Sequence, residues 1–154
     1  MENTDKPLLQ RVLVVDDSKM DLMTAQVSMK KYAFADQVEL KISARAALDY
    51  LLSLQETPEL LPQLIFLDIN MPELSGFDFL DEYAKLPAVI QKNCIIMMLS
   101  TSLAKEDHER ANSNKFVCKF LNKPLDRSKL DHVKQELTDG RMERDYFRLM
   151  ESQY

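Results

Sequence analysis

Short apolar runs of strand length alternate along this chain with longer segments whose apolar residues recur every three or four positions. The pattern predicts strands at residues 11–15, 37–42, 64–67, 94–99 and 116–121. Val12-Leu13-Val14-Val15 and Leu64-Ile65-Phe66-Leu67 are almost continuously apolar, as is the run ending at Leu99. Strands covered on both faces read this way. The second run alternates through Val38, Leu40 and Ile42, as an edge strand does. Helices are predicted at 19–32, 44–54, 77–83, 105–113 and 126–137. The first carries Met20, Met23 and Val27 at helical spacing, and the second Ala47, Leu48, Leu51 and Leu52. Ser18, Ser43 and Asp126 are placed to cap three of these helices. Pro58 and Pro62 punctuate a long loop expected to bulge from the surface. Strand followed by helix, five times over, predicts an α/β fold of (βα)5 type around a parallel sheet.

Beyond Gly140 the periodicity returns weakly, with Met142, Tyr146, Leu149 and Met150 on one helical stripe and Arg and Glu opposite. A helix packed on its own domain and a surface for a partner both fit this stretch. The expected organisation is a polar tail over 1–9, one domain over 10–137 and a helical extension over 138–154.

Composition narrows the function classes. A chain of 154 residues, 45% hydrophobic, can build one well-buried core, and two would be cramped. Its two glycines, Gly76 and Gly140, leave no Gly-rich nucleotide cradle of either common kind. A net charge of -5 supplies no general field for nucleic acid, so none is expected as a partner. No apolar stretch approaches the length of a membrane span, and the first ten residues lack the apolar core of a signal peptide. Cys94 and Cys118 show no metal-ligand spacing and read as buried thiols of a cytoplasmic protein. His108 and His132 sit on helices that look exposed, and residues 106–110 read as a solvated face.

The polar residues that end the apolar runs carry the chemistry. Asp68 closes the third run, Asp16-Asp17 the first, Ser100-Thr101 the fourth and Lys123-Pro124 the fifth. In an open parallel sheet, ligands bind beyond the carboxyl ends of the strands. Three carboxylates gathered there would repel by about 4 kcal/mol per pair at 4 Å and an effective dielectric of 20. A cation must sit among them, and Lys123 and a divalent metal are the candidates. Taken singly, each residue has a plainer reading. Asp16 and Asp17 could cap a helix, Lys123 could be a solvated lysine, and Ser100 and Phe120 could be ordinary strand-end and core residues. Their common placement argues otherwise.

Val15-Asp16-Asp17-Ser18, Ile65-Phe66-Leu67-Asp68-Ile69-Asn70-Met71-Pro72 with Ser75-Gly76, Leu99-Ser100-Thr101 and Phe120-Leu121-Asn122-Lys123-Pro124 follow one another in this order. In these motifs, over roughly residues 10–137, the chain resembles a response-regulator receiver domain of two-component signalling. It resembles the single-domain members, since no DNA-binding or enzymatic domain follows within this sequence. The resemblance implies a flavodoxin-like, doubly wound five-stranded sheet in the order 2-1-3-4-5. It implies Asp68 as phospho-acceptor, with Asp16, Asp17, Asp68 and the backbone carbonyl of Asn70 around Mg²⁺ or Mn²⁺. Ser100, with Thr101 as its rival by one position, and Lys123 match the residues that bind the phosphoryl group, and Phe120 matches the aromatic switch. Asn70 and Ser102 match positions that tune hydrolysis of the acyl phosphate. Lys123-Pro124 matches a cis peptide bond, and Gly76 fits a turn needing positive φ.

The implied partners are a sensor histidine kinase or a histidine phosphotransfer protein and a further, unidentified downstream protein. The fourth predicted helix with the fifth strand, or the C-terminal helix, offers a homodimer surface. The implied role is a signalling switch in the cytoplasm, catalysing only its own phosphotransfer and hydrolysis. Two alternatives are a constitutive interaction module and a small aspartyl-phosphate phosphatase. The latter would need a general acid where Asn70 stands. The chain departs from the family pattern at Asn112-Ser113-Asn114-Lys115, which replaces a small Gly-Ala pair with one residue more.

Overall fold

A computed structural model describes residues 6–139. The strands are β1 (Leu9–Val15), β2 (Ala35–Lys41), β3 (Leu64–Asp68), β4 (Ile95–Ser100) and β5 (Val117–Asn122). Around them lie α1 (Lys19–Lys31), α2 (Ala44–Ser53), α3 (Gly76–Tyr83), α4 (Ala88–Asn93), α5 (Lys105–Ser113) and α6 (Arg127–Thr138). The sheet is parallel throughout, in the order β2-β1-β3-β4-β5, so the chain reverses its direction of travel across the sheet after β2. The expected stripe of Met142, Tyr146, Leu149 and Met150 lies outside the described residues, as does Gly140.

Side chains alternate between the two faces of the sheet. Leu13, Val15, Ile65, Leu67, Ile96 and Met98 form one core with α2, α3 and α4. Val12, Val14, Leu64, Phe66, Met97 and Leu99 form the other with α1 and α6. Strands buried on both faces give the continuous apolar runs of the sequence. Ser18, Ser43 and Asp126 each accept a backbone N–H in the first turn of the helix they cap.

Five expectations are corrected. The stripe Met20, Met23, Val27 of α1 faces outward, exposed by 77, 63 and 63%, while Leu22, Ala25 and Met29 are buried. Both triplets have the same spacing along the helix, and the way α1 is set against the sheet selects between them. The loop with Pro58 and Pro62 does not bulge freely. It forms a 3₁₀ turn at Pro58–Leu60, buries Leu61, and is stitched to β1 by Gln63 N–H to the Arg11 carbonyl at 3.0 Å. A sixth helix, α4, fills what reads as a loop before β4. Its Gln91 side chain donates to the carbonyls of Tyr83, Ala84 and Leu86, each at 3.1 Å, satisfying the C-terminal end of α3. The other two corrections, at Gly76 and at residues 106–110, belong with the site.

The pairing of β5 with β4 is irregular near its start. Ile96 pairs with Val117 but Met97 with Lys119, so Cys118 is the additional residue of a bulge.

Candidate functional site

Each polar group is delivered by a strand end. Asp68 is the last residue of β3, paired with Leu99 of β4. Asp16 follows β1; its N–H donates to the Lys41 carbonyl at 3.1 Å, and its Oδ1 accepts from Ser18 N–H at 2.9 Å. Those bonds fix a carboxylate that is only 2% exposed. Asp17, next along, is exposed. Lys123 follows β5, its N–H donating to the Ser100 carbonyl at 2.9 Å, and the Lys123-Pro124 bond is cis as expected.

One carboxylate oxygen from each of Asp16, Asp17 and Asp68 lies within 4.8 Å of the others. The Lys123 ammonium stands 2.6 Å from Asp16 Oδ2, 2.9 Å from Asp21 Oδ2 and 3.5 Å from Asp68 Oδ1. Burial and the negative charge of Asp16 push the Asp68 carboxyl up to about 6, against the pull of Lys123. Burial alone would lower Lys123, but its bonds to Asp16 and Asp21 and the charge of Asp68 outweigh this and raise it above the ordinary lysine value. Lys123 therefore stays a cation. Four carboxylates against one ammonium leave an excess of negative charge in a partly buried place. Hard oxygen donors so arranged fit a small divalent cation such as Mg²⁺, which takes one or two carboxylates and keeps several waters. Asn70 is exposed two residues beyond Asp68, on the loop that would complete such a shell.

Ser100 is fully buried, its hydroxyl accepting from Ser102 N–H at 3.1 Å, whereas Thr101 is exposed and lines the cleft beside Lys123. The Ser102 hydroxyl donates to Asp107 Oδ2 at 2.6 Å, so this expected tuning residue is engaged with the first turn of α5. Phe120 is half-buried, and its ring lies 3.9 Å from that of His108, centroid to centroid. Residues 106–110 are therefore not simply a solvated face.

Gly76 is required by space rather than by φ. No left-handed φ occurs there; in this loop it falls on Glu73, at φ 67, where Leu74 N–H reaches the Pro72 carbonyl at 2.8 Å. A Cβ at Gly76 would collide with the Asp68 carbonyl oxygen and press on Ile69 Cα and the Met98 side chain. The glycine lets the N-terminus of α3 close against the end of β3.

Sequence reasoning missed Asp21. An acid in the first turn of a helix reads as complementing the helix dipole, and nothing in the linear pattern ties it to a lysine 102 positions away.

The sheet order, with an acid–lysine cluster at its carboxyl edge, is that of a flavodoxin-like α/β domain. The chain belongs to the response regulator receiver domain family, whose model matches residues 12–134. It is 27% identical over 128 residues to the probable methanogenesis regulatory protein FilR2 of Methanothrix harundinacea, covering 83% of this chain and 81% of that protein. A two-component response regulator from Cytophaga hutchinsonii shares the fold with a TM-score of 0.78 at 23% identity, covering 88% of this chain and 99% of that one. The receiver domain of the histidine kinase CKI1 from Arabidopsis thaliana, solved in complex with Mg²⁺, matches with a TM-score of 0.69 at 27% identity, covering 86% and 96%. Receiver domains bind Mg²⁺ at an acidic pocket, and this chain carries a cluster of three carboxylates, Asp16, Asp17 and Asp68. Among the described residues no helix is long and apolar enough to cross a membrane.

Proposed function

We propose that this protein is a phosphorylation-dependent switch in which Asp68 accepts a phosphoryl group from the phosphohistidine of a sensor kinase or a histidine phosphotransfer protein. The observation that carries the reading is the meeting of three strand tips, with Lys123 within ion-pair reach of both Asp16 and Asp68. An Asp68 carboxylate oxygen attacks phosphorus, the P–N bond breaks, and its electron pair stays on the ring nitrogen, which takes up a proton. Asp16, Asp17, Asp68 and the Asn70 carbonyl hold Mg²⁺, or Mn²⁺ in its place. When bound, the metal neutralises charge on the phosphoryl oxygens. Lys123 supports the same oxygens from the other side, and Ser100, whose hydroxyl accepts from Ser102 N–H, keeps its own proton to donate to them. Movement of Ser100 then reaches Phe120, whose ring packs at a tilt against His108 of α5, so the α5–β5 face changes with phosphorylation. That face, or the C-terminal extension over 138–154, is where a downstream protein or a second copy reads the signal. Asn70 and Ser102 set how fast the acyl phosphate is hydrolysed.

Two features support a docking place for the donor on α1. A cleft of about 270 Å³ opens between α1 and the β5–α6 loop, with Asp21, Thr24, Thr101 and Lys123 on its walls. Met20, Met23 and Val27 present an unburied apolar stripe on the same helix. A helical partner laid along this stripe brings a phosphohistidine to the mouth of the pocket.

Acetyl phosphate with Mg²⁺ tests the assignment. The protein is expected to gain one phosphoryl group, located on Asp68 by mass spectrometry, and Asp68→Asn is expected to gain none. Equal labelling of the variant would remove Asp68 from the role.

A further inference from the structure

The Lys123 ammonium has three protons, and the structure shows where they are spent. Its bonds to Asp16 and Asp21, at 2.6 and 2.9 Å, lie in or below the range of charge-assisted hydrogen bonds. The 3.5 Å to Asp68 lies beyond it. The lysine is therefore drawn toward α1, away from the carboxylate it is expected to serve. Asp16 cannot be the partner that yields, because it is 2% exposed and held by Ser18 N–H. Asp21 can. Its side chain is 47% exposed, so water replaces the ammonium at small cost if the pair opens. A phosphoryl group on Asp68 would bring up to two negative charges and three strong acceptors to the far side of the same ammonium.

We propose that Asp21 is a positioning residue that latches Lys123 on the α1 side of the resting pocket, so that a phosphoryl group at Asp68 must draw the ammonium off Asp21. This rests on Asp68 being the acceptor. The latch sets how strongly the resting pocket competes with the phosphoryl group, and it links the occupancy of that pocket to the first turn of α1, where Met20 stands exposed.

The experiment uses beryllofluoride with Mg²⁺ as the phosphoryl mimic and measures its affinity by calorimetry. Wild type, Asp21→Asn, Asp21→Glu, Lys123→Ala and the Asp21→Asn/Lys123→Ala double variant are compared, with Asp68→Asn as control. Loss of a half-exposed ion pair is expected to let Asp21→Asn bind up to about 5-fold tighter than wild type. Asp21→Glu, which keeps the charge, is expected to stay within about twofold of wild type on the same scale. The decisive readout is the cycle with Lys123→Ala, in which the gain from Asp21→Asn must disappear. A gain that persists there reflects only the lost negative field and overturns the latch. So does an equal or weaker affinity of a stably folded Asp21→Asn, or a tighter Asp21→Glu. Binding by wild type that Asp68→Asn abolishes keeps the acceptor assignment standing whichever way the latch falls. If wild type binds no beryllofluoride, acceptor and latch fall together.

Discussion

At the scale of single residues, the resting site is electrostatically uncomfortable, and that discomfort is measurable. The Asp68 carboxyl is pushed from its ordinary 3.8 up to about 6 by burial and by Asp16. The folded protein thus holds a proton there that the unfolded chain has released, and stability falls as pH rises from about 4 to about 6 and stays lower above. Asp68→Asn removes the charge. Without divalent cations it is expected to raise stability at pH 8 by up to about 2 to 3 kcal/mol, and to leave it unchanged near pH 3.5. Thermal melts of both proteins at the two pH values check this; a gain of equal size at acid pH would assign it to packing instead. Gly76→Ala is expected to act in the opposite sense, costing about 2 to 3 kcal/mol in urea unfolding, because the Cβ meets backbone rather than a yielding side chain. Asp68 and Lys123 were legible in the sequence because each ends an apolar run. The need for Gly76 was legible but its reason was not, since a close approach between α3 and β3 leaves no local signature. Asp21 was illegible for a similar reason, its partner being brought by the fold.

At the scale of elements, α1 shows where periodicity stops being informative. Met20, Met23, Val27 and Leu22, Ala25, Met29 are two apolar triplets of identical spacing on one helix. Helix formation follows from either, burial from neither alone. The entry of the chain from β1, with Ser18 capping and Asp16 held in the pocket, turns the second triplet to the sheet. Leu22→Ala is therefore expected to cost about 2 to 4 kcal/mol, whereas Met23→Gln changes stability by no more than about 0.5 kcal/mol. Chemical denaturation of the two variants measures both, and a large loss from Met23→Gln would return that stripe to the core. By contrast α2 was read correctly, because Ala47, Leu48 and Leu51 form its only apolar face. The six residues of α4 were missed because they are too few to show a period, and because their role of satisfying the end of α3 through Gln91 is tertiary.

At the scale of the whole molecule, strand order converts scattered residues into one site. β1, β3 and β4 are adjacent and β5 follows, so groups as distant in sequence as Asp16 and Lys123 share one edge of the sheet. This much was readable, since near-continuous apolar runs demand a sheet covered on both sides and polar run-ends then fall together. With that excess of negative charge, the fold is expected to respond to a divalent cation as a unit. A ligand that binds only the folded state stabilises it by about 2.7 kcal/mol at 100 times its dissociation constant. Mg²⁺ at that level is expected to raise Tm at pH 8 by about 5 to 10 °C for a chain of this size. Lowering the pH protonates Asp68 around 6, and a protonated carboxyl is a poor ligand, so the shift must shrink steeply by pH 5. Asp17→Asn and Asp68→Asn should each reduce the shift at pH 8, because each removes one of the three clustered carboxylates. A shift that is as large at pH 5 as at pH 8, or undiminished in both variants, would place the cation elsewhere on this acidic surface and leave the strand-tip pocket without its metal.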